Sequence, residues 1–195
     1  VNVTRCIDRW RYWFLLWNLF LAWLPLMFVW VLYRKTPGGL SWSVTNFMLF
    51  ILWLLFLPNA FYLVSDLIHL RVTPEIGIMY DVVLLTTYAF VGLMLGYTSL
   101  FLMHLRTFQR FGNWAHVMVG VALLLSGFAI YLGRYLRWNS WDILVNPFGL
   151  LFDVSDRLIN PGEHILTFST TLLFFTFLAV IYLVIWRAIG VVAST

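Results

Sequence analysis

Five long apolar runs, at 10–33, 44–66, 79–105, 114–134 and 165–186, constrain this chain more than any other feature. Each supplies the roughly 20 residues that an α-helix needs to cross a hydrocarbon core about 30 Å thick. Inside lipid every backbone N–H and C=O must be satisfied within the protein, and a helix does this within the segment itself. The predicted fold class is therefore all-α, a polytopic transmembrane bundle. Composition excludes the soluble alternative: 63% of the 195 residues are hydrophobic and 10% charged, against about 45–50% and 25% in soluble domains. A net charge of +4 raises nucleic acid as a partner, but the Lys and Arg residues are scattered singly and in pairs through apolar sequence. They read as membrane-edge anchors, and no nucleic-acid partner is expected. The single cysteine, Cys6, has no partner for an intrachain disulfide and no zinc-type spacing around it.

Charge also predicts orientation. With five spans, the N-terminus, the 67–78 loop and the 135–164 loop share one side, and that side holds all eight acids: Asp8, Asp66, Glu75, Asp81, Asp142, Asp153, Asp156 and Glu163. The other side carries Arg34, Lys35, Arg106, Arg110 and Arg187 and no acid. The total of Lys and Arg favours the acid-bearing side, seven against five, but the positive-inside signal is read from short loops. The short loops are purely basic, so the N-terminus is expected outside and the C-terminus inside. A further span ahead of Val1 would bring both termini inside.

The 135–164 loop is the only long one. Its 147–160 stretch gathers Phe148, Leu151, Phe152, Val154, Leu158 and Ile159 mostly to one side, with Asp153, Asp156 and Arg157 more polar. A short helix in the outer interface is predicted, with Trp138 and Trp141 as headgroup-level anchors.

Chemistry-bearing residues concentrate where the second span closes. Pro58 removes a helical hydrogen bond and predicts a kink. At helical pitch Asn59, Tyr62, Asp66 and His69 fall within an arc of about 80°, a polar stripe that must face protein or a water-filled cavity. Asn18, Asp81, Thr86, Thr87, Tyr131, Arg134, Thr167, Ser169, Thr170 and Thr171 make the other spans polar in the same outer half. The inner half is nearly pure hydrocarbon, which argues against a transport path.

Three roles compete for these residues. Arg134 is expected to pair with Asp66 or Asp81 and lock helices together. Arg134 and Arg137 together form an anion or lipid head-group site in a second reading. In a third, Asp66 or His69 is the general base of catalysis. Asp66, His69 and His164 are the metal-ligand candidates, without an HExxH motif or a close His pair to support them. Ser65 adjoins Asp66, but neighbouring helical residues point about 100° apart, so the pair is no dyad. His104 and His116 lie on the inner side, where headgroup contact is expected. Gly92xxxGly96 and Ala129xxxGly133 are helix-packing patterns. Asn2-Val3-Thr4 matches a glycosylation sequon at the extreme terminus.

The runs WNLFLAWLPL (17–26), LWLLFLPNAFYLVSDLIHL (52–70) and GRYLRWNSWD (133–142) resemble the bacterial membrane proteins grouped as domain of unknown function 1361. The likeness extends over about 10–186. Where this chain has Phe61 the family usually carries proline, a departure that bears on the kink and not on the polar stripe. Family members commonly have a hydrophobic segment ahead of the Trp-Asn-Leu-Phe run, which implies six spans in the complete gene product. The resemblance implies a multi-pass protein of the bacterial cytoplasmic membrane and assigns no substrate and no cofactor. Two functions stay open: an accessory, structural or lipid-binding subunit whose aromatic surface packs against lipid, pigment or another membrane protein, and an intramembrane hydrolase or transferase acting on a lipid around Asp66, His69 and Arg134.

Overall fold

A computed structural model of the chain describes residues 13–36, 43–69, 78–139 and 142–194. Cys6, the Asn2 sequon and Trp141 lie outside the described residues, as does the side chain of His69. All regular structure among the described residues is helical: α1 (Trp13–Lys35), α2 (Val44–Tyr62), a 3-10 segment (Leu63–His69), α3 (Ile78–Phe111), α4 (Trp114–Tyr135), α5 (Asp142–Val145), α6 (Pro147–Ile159) and α7 (Ile165–Ser194). Among the described residues, five stretches are long and apolar enough to cross a membrane: Phe14–Lys35, Val44–Ile68, Met79–Phe111, Trp114–Tyr135 and Ile165–Val192. The chain divides into two compact units, Val1–Leu102 and Met103–Thr195.

In the first unit α1 packs against α2, burying Leu15, Ala22, Val29 and Leu32 at heptad-like intervals along one side of α1. Ala22, Ala60, Leu63 and Leu95 form a small core, with Leu19, Leu26, Tyr88 and Val91 against it. Its tightness comes from glycine. A Cβ at Gly92 of α3 would lie 2.5 Å from the Ala60 carbonyl oxygen, and one at Gly96 would lie 2.6 Å from the Phe61 ring. Pro25 and Pro58 both sit inside helices that continue past them, as membrane helices allow when neighbouring groups adjust around the freed carbonyl. Past Tyr62 the second span tightens to 3-10 geometry, with three residues per turn in place of 3.6.

In the second unit α4 packs against α7, and Gly127 permits the approach: a Cβ there would be 2.7 Å from the Thr171 carbonyl oxygen. Gly112, at φ +55°, turns the chain from α3 into α4. At the far end of α4, Arg137 holds a left-handed φ of 62°, a conformation uncommon outside glycine. Here the Trp138 N–H bonds the Leu132 carbonyl. Asn146 then caps α6, its side chain accepting from the Gly149 N–H with Pro147 in the first turn. The α6 helix is amphipathic, and Phe148, Leu151, Phe152, Leu158 and Ile159 are all exposed.

Candidate functional site

The polar stripe of the second span lies in the first unit, and its central residue is buried. Asp66 is 2% exposed, and its Oδ2 accepts a hydrogen bond from Asn18 Nδ2 of α1 at 3.2 Å. Local bonding absorbs its neighbours: Asn59 Nδ2 donates to the Phe56 carbonyl and Ser65 Oγ to the Tyr62 carbonyl. Ser65 is thus turned onto its own helix. Asp81, in the first turn of α3, is fully buried. The first unit therefore carries two buried carboxylates on consecutive spans. Other polar ties cross its helices elsewhere: Trp53 Nε1 to Ser99 Oγ at 2.7 Å and Tyr33 Oη to the Leu102 carbonyl at 3.0 Å.

Arg134 and Arg137 belong to the second unit, Arg134 half-buried near the end of α4 and Arg137 exposed. His164, also in that unit, is held by Asp156, whose Oδ2 lies 2.8 Å from His164 Nε2. Asn160 Nδ2 donates to the other oxygen, Oδ1, at 2.8 Å. The bonds from Asn160 and then His164 hold the Asp156 carboxyl below the ordinary aspartate range. Trp138 Nε1 donates to Asp153 Oδ2 at 2.7 Å, and Arg157 lies beside Asp153 Oδ1 at 3.6 Å. The polar face of α6 is thereby tied to the end of α4 and the start of α7. Among the described residues, no three His, Cys, Asp or Glu side chains come together as a metal set.

Headgroup contact is overturned for His104. It is 1% exposed, stacked on Trp186 with ring centres 4.0 Å apart and edge-on to His116 at 4.8 Å. Its Nδ1 is 2.7 Å from the Tyr182 hydroxyl, and Nε2 has no hydrogen-bond partner among the described residues. Nothing in the local sequence announces this cluster. A lone histidine on an apolar helix is ambiguous, and Tyr182 and Trp186 arrive from the last helix. His116, in contrast, is exposed.

A family model described as "Protein of unknown function (DUF1361)" matches residues 17–185. No curated protein matches the chain, and no solved structure does.

Proposed function

Because the chain belongs to the family of proteins of unknown function DUF1361 and carries helices long and apolar enough to cross a membrane, we propose that it is a non-enzymatic accessory, structural or lipid-binding subunit of a membrane complex. The carrying observation is the engagement of Asp66. The best-placed carboxylate for chemistry is buried and bonded to Asn18 of a neighbouring span, which is how a polar group in hydrocarbon serves helix association. Surface chemistry agrees. Leu16, Phe20, Trp23, Met27 and Trp30 are all exposed, and their alternating steps of four and three residues form one apolar, aromatic face of α1. Such a face packs against lipid, a pigment or a partner subunit. The proposal places the protein in the bacterial cytoplasmic membrane with the acid-bearing ends outside.

A lipid-directed hydrolase or transferase is the second reading, favoured by the presence of Asp81 as a second buried carboxylate in the same unit. In it Asp66 or His69 acts as the base. Stability measurements separate the two. For a helix lock, Asn18→Ala and Asp66→Asn each lower unfolding stability by about 1–2 kcal/mol, and the double variant loses little more than either single one. Full stability in both single variants sinks the lock. Mild solubilisation should also recover the protein with a partner or a retained lipid, and a clean, lipid-free monomer would count against the accessory reading.

A further inference from the structure

Hydroxyl side chains inside these helices normally close on their own backbone. Thr36, Thr87, Thr107 and Ser126 each donate to the carbonyl four residues back, at 2.6 to 3.0 Å. Thr167 and Thr171 of α7 do not. Their hydroxyl oxygens are buried and have no hydrogen-bond partner among the described residues, and the same holds for Nε of Arg157. Arg157 is 8% exposed and Thr167 1%. Three buried donor atoms of the second unit, one of them a single nitrogen of the Arg157 guanidinium, lack an acceptor among the described residues.

Short links put Arg157 and Thr167 at one corner. Asp156, adjacent to Arg157, pairs with His164 at 2.8 Å, and the His164 carbonyl accepts from the Thr167 N–H at 2.9 Å. Thr171 follows one helical turn along the same face of α7, about 6 Å further into the apolar span. Both carboxylates of α6 are occupied. Asp153 accepts from Trp138 and lies beside Arg157, and Asp156 is shared between Asn160 and His164. The second guanidinium contact, Nη1 to the Asp153 carbonyl at 2.6 Å, fixes the Arg157 side chain along α6 and leaves Nε to be satisfied.

A partner that would satisfy these donors is made of acceptors, negative at the interface and uncharged one turn deeper. The geometry points to a phosphate-ester site, with Arg157 and Thr167 on the phosphate and Thr171 on an ester carbonyl of the same phosphoglyceride. This inference rests on the lipid-binding side of the proposed function and locates the lipid. Phosphate contacts of this type are charge-assisted and directional, and an ester carbonyl offers a buried hydroxyl the acceptor that its own helix does not.

The test uses the full chain, delipidated in detergent and titrated with phosphatidylglycerol or phosphatidylethanolamine, with bound lipid counted by native mass spectrometry. Inorganic phosphate is titrated in parallel. The wild type should carry one retained phospholipid, weakened about tenfold or more by Arg157→Gln and by the Thr167→Val, Thr171→Val pair. The Thr167→Ser, Thr171→Ser pair should restore binding. Should Arg157→Gln fail to fold, the uncharged threonine pair still decides the matter. Arg157-dependent binding of inorganic phosphate, with no lipid retained, supports the anion chemistry with a free phosphate as its source. Equal lipid retention in wild type and all variants overturns the site but leaves the lipid-binding reading standing. A wild type that binds neither probe overturns the site as well, while the Asn18 and Asp66 stabilities still judge the helix lock separately.

Discussion

At position 92 there is no room for a methyl group. A Cβ there would be 2.5 Å from the Ala60 carbonyl oxygen and 2.7 Å from Leu63 Cδ1, and backbone oxygen cannot move aside as the end of a side chain can. Gly92→Ala should destabilise the first unit by about 1–3 kcal/mol, read as thermal unfolding in detergent. Gly120→Ala, where nothing lies within 4 Å, should leave stability unchanged or slightly raised by helix propensity. Equal unfolding temperatures for the two variants would contradict the close approach. The Gly92xxxGly96 spacing announces such a contact, because a four-residue repeat of glycine makes a groove on one helix face. Gly127 has no small residue four positions on, since Tyr131 stands there, and its contact with α7 leaves no such mark. Asn18 and Asp66 are similarly half-legible. Sequence gives each one's depth and polarity, but the hydrogen bond depends on how two separate helices are turned toward each other.

At the scale of elements, long apolar runs are enough to find the five candidate spans among the described residues, and the helix ends are harder. The third span reads as closing near residue 105 because Arg106 and Arg110 follow. The helix in fact runs to Phe111, with Arg106 and Thr107 buried, and stops only where Gly112 takes a positive φ. A cation does not end a helix when its aliphatic stem can lie along apolar surface. The α6 helix is legible from its apolar spacing and Pro147, yet its attachment through Asp156 and His164 is not, since that needs the turn at 160–164 to bring them together. The attachment has a pH signature. Asp156 is held below its ordinary value by Asn160 and His164, so the folded state favours the carboxylate. That contribution is complete above the unfolded aspartate value of about 4 and fades as pH falls through the lower folded one. The protection of the amides at the junction of α6 and α7, taken as the exchange rate relative to that of an unstructured amide at the same pH, should fall below about pH 4. Asp156→Asn should flatten the contribution, and an unchanged acid response in that variant would assign it elsewhere.

For the molecule as a whole, charge asymmetry predicts which ends face out. With Cys6 replaced by serine, single cysteines introduced as Gly38→Cys and Asn160→Cys test this with a membrane-impermeant reagent on intact cells. The Asn160 position should label and the Gly38 position should not; the reverse pattern inverts the topology. Helix length adds a constraint of a different kind. The 22 residues of α4 reach about 33 Å and the 34 residues of α3 about 51 Å at 1.5 Å per residue. A hydrocarbon layer near 30 Å is matched by the first and overrun by the second. Bilayer thickness therefore acts on these helices unequally. Thickening the membrane by a few ångströms leaves α3 with length to spare and draws the polar ends of α4 toward acyl chains, so lipid chain length bears on α4 before it bears on α3.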